Sequence, residues 1–306
     1  MNSSFKNPIE ELIHSTVRIE CDLGNGATST GSGYFYLFFD DEDKKVPVIV
    51  TNKHVVQGAV KASINLTKSD VGRPKLGEFS TFVIDDFENQ CIFHSESNVD
   101  LAIFPIAPLL SQAEASGDEF YYVPLGKSAI ATTELLSTLS SMEDIVMIGY
   151  PNGIWDAIHN LPIIRRGISA THPKLDYNGK PEFVIDAACF PGSSGSPVFL
   201  ANLGSFVDAS GALCAGNRVA FLGTLYAGPV QKATGEVEVV EVPTDTKAIS
   251  KTDLMLNLGY VIHASKLLDF EEKLRDLITP KAFVSRNSPC PCGSGAKFRA
   301  CCGKVV

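Results

Sequence analysis

A serine between glycines is the feature of this 306-residue chain best suited to chemistry. It is Ser194, in a segment, 190–197, that reads Phe-Pro-Gly-Ser-Ser-Gly-Ser-Pro. Glycine lets the backbone turn sharply, so that nearby N–H groups can face one point beside the hydroxyl. Acyl transfer requires a nucleophile with such donors, which stabilise the oxyanion. We predict that these donors are the N–H groups of Gly192 and Ser194, with that of Ser193 between them.

Two other segments each place a polar residue at the edge of an apolar run. Residues 48–56 read Val-Ile-Val-Thr-Asn-Lys-His-Val-Val, so a hydrophobic strand ends close to His54. Residues 98–103 read Asn-Val-Asp-Leu-Ala-Ile, which places Asp100 at the start of another strand. A serine hydroxyl is a weak nucleophile near neutrality and needs a base within hydrogen-bond reach. We predict that His54 is this base and that Asp100 orients its imidazole.

Other residues compete for these roles. Ser193 and Ser196 flank Ser194, but only Ser194 stands third in a Gly-x-Ser-Gly frame. His94 is close to Asp100 in sequence, yet it lacks the strand pattern that surrounds His54. The remaining histidines are interpreted as packing or surface residues: His14, His159, His172 and His263.

At these three segments the chain resembles the trypsin-like superfamily, and most closely the bacterial HtrA/Deg-type serine proteases. The order histidine, aspartate, serine is that of chymotrypsin and differs from the orders in subtilisin and the α/β-hydrolases. Further matches are Gly31-Ser32-Gly33-Tyr34, the segment 148–151 followed by 167–170, and the segment 259–262. The resemblance implies a serine endopeptidase acting on protein or peptide substrates through an acyl-enzyme.

The same resemblance implies an all-β fold of two chymotrypsin-like β-barrels. From patterns described below we predict that a C-terminal helix and a small zinc knuckle follow them. Composition agrees, because 44% hydrophobic residues can form a core and 25 glycines with 17 prolines suit short strands and tight turns. We predict a first barrel over 1–125 with His54 and Asp100, and a second over 126–263 with Ser194. A helix and linker over 264–287 and the knuckle over 288–306 complete the predicted chain.

The strand pattern predicts six strands in each barrel. Those of the first are predicted at 15–22, 33–39, 46–51, 59–65, 82–85 and 100–105. Those of the second are predicted at 145–149, 162–170, 183–188, 197–200, 218–226 and 258–262. Asn178-Gly179 indicates a hairpin turn, and the apolar spacing in 264–278 indicates a helix packed on the barrels.

Substrate preference is predicted from the pocket that would receive the side chain before the cut bond. Resemblance to trypsin implies that an enzyme cutting after Lys or Arg has an acid six residues before the serine, where this chain has Ala188. We predict an uncharged pocket that favours small or medium apolar side chains and is lined by Ala188, Cys189, Thr224 and Leu225. An acid reaching in from another loop, such as Asp156 or Asp208, would instead give a basic preference.

The C-terminal tail carries a second chemical motif. It places Cys290, Cys292, Cys301 and Cys302 within thirteen residues, and four thiolates can converge on one tetrahedral ion. The pattern Cys-Pro-Cys-Gly-Ser-Gly followed by Cys-Cys resembles the SEC-C zinc knuckle. We therefore predict a structural zinc ion, with a pair of disulfides as the alternative. The other four cysteines are interpreted as thiols outside any disulfide framework: Cys21, Cys91, Cys189 and Cys214.

Charge separates the tail from the rest of the chain. No acidic residue follows Asp276, whereas five basic residues do, so the tail is positive within a chain of net charge −9. An acidic body argues against nucleic acid as a partner, and the basic tail is a candidate docking element for a protein. No apolar stretch predicts a membrane span or a signal peptide, so we expect a cytoplasmic protein. The alternative function is a catalytically silent adaptor that binds partners through the barrels and knuckle.

Overall fold

The computed structural model describes residues 7–24, 26–42, 44–237, 248–278 and Lys297. The chain divides into two compact units, Met1–Leu268 and Asp269–Val306. The predicted zinc ligands, Cys290, Cys292, Cys301 and Cys302, lie outside the described residues. All other predicted site residues belong to the first unit.

Residues 16–105 form a seven-stranded antiparallel sheet in the order β5-β4-β1-β2-β3-β7-β6. Its strands are β1 (Thr16–Asp22), β2 (Thr28–Phe38), β3 (Val46–Thr51), β4 (Lys61–Asp70), β5 (Arg73–Asp85), β6 (Ile92–Phe93) and β7 (Ala102–Pro105). Alternate side chains such as Ile19, Phe35, Ile49 and Ile64 meet in one core. That core fixes the register, because a shift of one residue would turn these side chains to the other face.

The second half forms a closed six-stranded barrel in the order β10-β17-β14-β11-β8-β9. Its strands are β8 (Asp144–Gly149), β9 (Ile163–Ser169), β10 (Glu182–Asp186), β11 (Pro197–Asn202), β14 (Arg218–Ala227) and β17 (Leu258–His263). Two hairpins lie outside the barrel, β12 (Ser205–Val207) with β13 (Leu213–Ala215), and β15 (Val230–Val237) with β16 (Ala248–Met255). Met147, Phe183, Leu200 and Val261 are among the side chains that fill the barrel.

Helices are short and lie between strands or near the ends of the described chain. They are α1 (Pro8–Leu12), α2 (Lys53–Val56), α3 (Phe87–Gln90), α4 (Ala107–Ala115), α5 (Thr133–Thr138) and α6 (Phe270–Ile278). Single 3₁₀ turns occur at Ile13–Ser15, Lys127–Ala129, Pro151–Gly153 and Ala264–Leu267. No helix in the described part of the chain is long and apolar enough to cross a membrane.

The predicted all-β fold is confirmed, with differences in detail. Only the second sheet closes; among the described residues, the outer strands β5 and β6 of the first sheet do not pair. The predicted turn at Asn178-Gly179 joins β9 to β10, and both residues have the positive φ that such a turn requires. The predicted helix over 264–278 is a 3₁₀ turn followed by α6.

Candidate active site

His54 and Asp100 are brought together by the pairing of β3 with β7. The two strands are antiparallel, and their last pair is Thr51 opposite Ala102. The residues that follow Thr51 therefore lie close to the residues that precede Ala102. His54 follows β3 on the one-turn helix α2, and Asp100 precedes β7. The Nδ1 atom of His54 lies 2.5 Å from Oδ2 of Asp100, and the backbone N–H of His54 donates to Oδ1 at 3.1 Å. The carboxylate therefore fixes the ring with its proton on Nδ1, leaving Nε2 able to accept one.

Asn52 and Lys53 hold the segment that carries Asp100. The fully buried Asn52 side chain donates from Nδ2 to the carbonyl of Asp100 at 2.7 Å. Lys53 Nζ donates to the carbonyl of Glu96, also at 2.7 Å. Both donors directly precede His54 in sequence, so the same turn of chain positions the imidazole and its carboxylate.

Ser194 lies in the connection between β10 and β11, beside β14. The two residues that follow it bond to β14: the N–H of Gly195 donates to the carbonyl of Leu225 at 2.8 Å, and the N–H of Leu225 donates to the carbonyl of Ser196 at 3.0 Å. The Oγ atom of Ser194 donates to the carbonyl of Tyr226 at 3.3 Å, and no hydrogen bond joins it to His54 within the described residues. The structure thus forms the His54–Asp100 pair and bonds the Ser194 hydroxyl to β14.

The N–H groups of Gly192 and Ser194 have no acceptor among the described residues, and the same holds for those of Ala188 and Cys189 earlier in the connection. The carbonyl of Pro191 accepts from Asn152 N–H at 2.5 Å, and the carbonyl of Ser193 accepts from Ser196 N–H at 3.0 Å. In a trans peptide the C=O and N–H point in opposite directions. A hydrogen bond that holds one carbonyl therefore points the N–H of the next residue away from that donor. Neither predicted donor is thus bonded to an acceptor among the described residues.

The third predicted donor, Ser193, differs. Its N–H donates to the carbonyl of Phe190 at 3.0 Å, and its side chain is fully buried. The bond closes a turn with Pro191 and Gly192 at its centre, where φ of Gly192 is 81°. A Cβ atom on Gly192 would also lie 2.7 Å from the carbonyl of Tyr150, so the turn excludes larger residues. Ser193 is a support of this turn, and its amide is not a free donor.

Ser32 is a supporting residue that the sequence analysis did not assign. Its Oγ donates to the carbonyl of Gly192 at 2.9 Å and accepts from Tyr150 N–H at 2.9 Å. Its own N–H donates to the carbonyl of Ser194 at 2.8 Å, and it is fully buried. A Cβ atom on Gly195 would lie 1.9 Å from the Ser32 carbonyl, which explains the glycine there. The only sequence signal was the Gly-Ser-Gly run on β2.

A small pocket of about 130 Å³ opens beside Ser194. Its lining is uncharged and consists of Cys189, Phe190, Pro191, Ser194, Leu225, Ala227 and Gly228. Two predicted pocket residues, Cys189 and Leu225, are among them. The other two do not line it: Thr224 is 1% exposed and bonds to the hydroxyl of Tyr34, and Ala188 offers its carbonyl to Arg165. Strand alternation explains Thr224, because neighbours on a strand face opposite sides.

Neither acid considered as an alternative reaches this pocket. Asp156 accepts from the imidazole of His159 at 2.7 Å in an exposed loop. Asp208 lines a separate cleft of about 430 Å³ together with Glu143, Asp144 and Phe206, none of which contacts the three predicted catalytic residues. The larger cleft is therefore distinct from the candidate active site.

Among the described residues, the other histidines and cysteines have no part in the site except Cys189. His14 is buried against Tyr121, and burial lowers its pKa to about 4. His263 stacks on Phe183 and pairs with Asp176. The four described cysteines are free thiols: Cys21, Cys91, Cys189 and Cys214. The described residues contain no group of His, Cys, Asp and Glu able to hold a metal ion.

Comparison with known proteins decides the family. A model described as the trypsin-like peptidase domain matches residues 31–207, more than half of the chain and a range that includes His54, Asp100 and Ser194. The chain belongs to the trypsin-like peptidase family. This trypsin-like peptidase also carries a SEC-C motif, which matches residues 286–304. Both predicted resemblances are confirmed.

Individual relatives of this trypsin-like peptidase are distant. Rv3671c from M. tuberculosis, as the inactive Ser343Ala mutant, is 16% identical over 92% of this chain and 96% of its own, with a TM-score of 0.40. Deg5 is 18% identical over 72% of this chain and 82% of its own, with a TM-score of 0.41. The SecA translocase subunit of Finegoldia magna is 41% identical over 44 residues, which span 14% of this chain and only 5% of that protein. These likenesses add nothing about activity beyond the family match.

Proposed function

We propose that this trypsin-like peptidase is a serine endopeptidase with His54, Asp100 and Ser194 as its catalytic residues. The observation that carries the proposal is the contact of 2.5 Å between His54 Nδ1 and Asp100 Oδ2. It leaves Nε2 free to act as a base, in the same compact unit as Ser194. A histidine held in this tautomer by a carboxylate is the arrangement that activates a serine hydroxyl.

The proposed reaction has two halves. In the first, Ser194 Oγ attacks the substrate carbonyl while His54 Nε2 takes its proton, and the N–H groups of Gly192 and Ser194 stabilise the oxyanion. When the tetrahedral intermediate collapses, His54 returns the proton to the leaving amine and an acyl-enzyme remains. In the second half, water gives a proton to His54 and attacks the acyl carbon. Collapse then restores the Ser194 hydroxyl and releases the acid.

We propose that cleavage follows small or medium apolar residues. The pocket beside Ser194 holds about 130 Å³, and its lining residues, among them Leu225, Ala227 and Gly228, are uncharged. A cationic side chain would lose hydration there without gaining a carboxylate partner. A peptide library should therefore favour Ala, Val or similar residues before the cut, and a preference for Lys or Arg would refute this proposal.

Hydrolysis of a chromogenic peptide amide with an apolar residue before the cut tests the reaction. Ser194→Ala should lower kcat by about 10⁶-fold, as loss of a catalytic serine does elsewhere, without altering the circular dichroism spectrum. Ser116→Ala is the matched control, since Ser116 is exposed at the end of α4 and should leave kcat unchanged. Equal turnover by Ser194→Ala and the wild type would refute the assignment of the nucleophile.

One observation favours the adaptor alternative. Ser194 Oγ donates to the carbonyl of Tyr226 and forms no bond to His54 among the described residues. A serine kept in this orientation would leave a silent peptidase that only binds partners. Absence of turnover in folded protein, together with retained binding of an apolar peptide, would establish that alternative.

We propose further that Cys290, Cys292, Cys301 and Cys302 bind one structural zinc ion. Four thiols are a donor set that zinc prefers, and with four protein ligands no position remains for a reacting water. The ion would stabilise the fold of the tail, which would then dock a protein partner through its basic residues. Elemental analysis of reduced protein should give one zinc per chain and none for the Cys290→Ser/Cys292→Ser double variant. Hydrolysis of a small peptide should not change in that variant, and metal-free wild-type protein would refute the zinc proposal.

A further inference from the structure

Arg165 is a cation inside the second barrel that no part of the catalytic proposal has used. It lies on β9 opposite Met147 of β8, and Met147 is fully buried in the barrel core. Residues opposite each other on paired strands share one face of the sheet. The Arg165 side chain therefore enters the inner face, where an arginine is rare unless it has a specific partner.

The neighbouring residue, Arg166, has the opposite orientation. It lies across from Val146, its side chain is 73% exposed, and it pairs with Asp144 at 3.0 Å. Two successive arginines on one strand thus have different surroundings, one at the surface and one inside. This neighbour is a natural control for any role of Arg165.

The partners of Arg165 are neutral oxygens of the loop that carries the oxyanion donors. Its Nη1 atom donates to the carbonyl of Ala188 at 2.7 Å and to Oγ of Ser193 at 2.7 Å. No carboxylate pairs with this guanidinium in the described part of the chain, and its Nε and Nη2 atoms are buried without a hydrogen-bond partner. Burial lowers the pKa of Arg165 to about 10, which keeps it cationic near neutrality.

These two contacts stand at the two ends of one functional segment. Residues 188–193 include Cys189, Phe190 and Pro191 of the substrate pocket and Gly192 of the oxyanion hole. Ser193 Oγ also accepts from the N–H of Phe190 at 3.3 Å, so the hydroxyl joins the guanidinium to the turn that orients Gly192. One nitrogen atom thereby sets the distance between the ends of this segment.

We propose that Arg165 is a positioning residue that holds segment 188–193 in the shape in which the Gly192 and Ser194 N–H groups face the oxyanion. The proposal rests on the serine peptidase function above, because it assigns Arg165 to that same site. Arg165 does not touch the substrate; it acts through Ala188 and Ser193. Burying a charge without a carboxylate partner is costly, so the place of Arg165 here favours a role in shaping the segment that it contacts.

Arg165→Met and Arg166→Met form the matched pair for the test. Arg165→Met should lower kcat for a peptide amide by about 10- to 100-fold, somewhat less than the loss of an oxyanion donor, with KM changed by less than about threefold. Affinity for a peptide boronic acid, whose oxygen occupies the oxyanion hole, should fall in parallel with kcat. Arg165→Lys, which retains the charge, should recover part of the loss, and Arg166→Met should match the wild type.

Hydrogen–deuterium exchange separates this proposal from the serine peptidase proposal. Amides in 188–194 should exchange faster in Arg165→Met than in wild type or Arg166→Met, whether or not the wild type turns over substrate. Inactive wild-type protein would refute the peptidase function, while faster exchange in Arg165→Met would still support the positioning role. Unchanged exchange, or wild-type kcat in folded Arg165→Met, would overturn it.

A second variant covers the case in which Arg165→Met fails to fold. Ser193→Ala removes one acceptor of the guanidinium and leaves the arginine in place. It should lower kcat and speed hydrogen–deuterium exchange in 188–194. Adding Arg165→Lys to Ser193→Ala should lower kcat by a smaller factor than Arg165→Lys lowers it in the wild type. Wild-type kcat and exchange in folded Ser193→Ala would overturn the proposal.

Discussion

The two halves of the candidate active site are held by different kinds of structure. His54 and Asp100 flank two paired strands, and the register of β3 with β7 brings them together. Ser194 lies in a connection whose shape depends on Ser32, Asn152 and Arg165, all distant in sequence. The acid–base half is thus built by regular strand pairing, whereas the nucleophile half is built by single hydrogen bonds from several elements to an irregular connection. Substitutions in the supports should therefore affect the second half more than the first.

The largest effect in the acid–base half is expected from Asp100→Asn. An amide at this position can hold the imidazole in the opposite tautomer, with the proton on Nε2, and the ring then cannot accept a proton from Ser194. We expect kcat to fall by about 10⁴-fold, the order measured when a triad carboxylate is replaced in another serine protease. Steady-state kinetics with the peptide amide measure this loss, and a fall below about tenfold would show that Asp100 is not the orienting acid.

In the nucleophile half, Gly192→Ala should have the next largest effect. Its φ of 81° disfavours any side chain, and the new Cβ would lie 2.7 Å from the Tyr150 carbonyl. The turn must change to relieve this contact, which removes one oxyanion donor and should lower kcat by about 10²- to 10³-fold. Gly179→Ala is a matched control, because Gly179 also has positive φ but no atom within 4 Å of its added Cβ. Equal losses in both variants would show that backbone strain, and not the oxyanion donor, causes the effect.

Ser32→Ala should have a smaller effect on the same half. It removes the bond from Ser32 Oγ to the Gly192 carbonyl and the bond from Tyr150 N–H to Ser32 Oγ, but retains the backbone bond from Ser32 N–H to the Ser194 carbonyl. A neutral hydrogen bond of this kind is worth about 1 kcal/mol, so kcat should fall by roughly 5- to 10-fold with little change in KM. Ser29→Ala on the same strand is the control and should match the wild type. A rise in KM with unchanged kcat would show that Ser32 supports the pocket and not the oxyanion donors.

The sequence indicated the elements of the first half of the site more clearly than those of the second. Strands leave an apolar pattern in the sequence, and single hydrogen bonds do not. An apolar run that ends on Thr-Asn-Lys-His predicts a strand, and the predicted 46–51 strand matches β3. The residues that hold Ser194 carry no such local pattern. Ser32 was noticed only within a Gly-Ser-Gly run, and Arg165 is one of two successive arginines whose difference appears only when β8 and β9 pair.

The errors in the fold have equally particular causes. The predicted strand 82–85 is the end of β5, which begins at Arg73 but has a mostly exposed and polar first half that gives no apolar alternation. The helix α4 was not predicted, since the start of 107–115 follows directly on the apolar end of β7. In the pocket, Thr224 was assigned with Leu225, although strand alternation turns them to opposite faces.

The last expected effect concerns folding, outside both halves of the site. Burial lowers the pKa of His14 to about 4, whereas the unfolded chain should titrate near ~6.5. Between these values the unfolded state binds more protons, so lowering the pH from about 7 to 4 should cost up to about 3 kcal/mol of the free energy of unfolding. Urea denaturation of wild type and His14→Gln across this range should give a shallower pH dependence for the variant. Parallel curves would show that His14 does not contribute.

Labelling by a fluorophosphonate probe tests the central claim most directly, because only an activated serine reacts quickly with it. We predict that mass spectrometry of the labelled wild-type protein finds the adduct on Ser194 and on no other serine. His54→Gln and Asp100→Asn should label far more slowly at the same position, and Ser194→Ala should not label. An adduct on Ser193, or labelling of Ser194 at the same rate in His54→Gln, would contradict the proposed roles of these three residues.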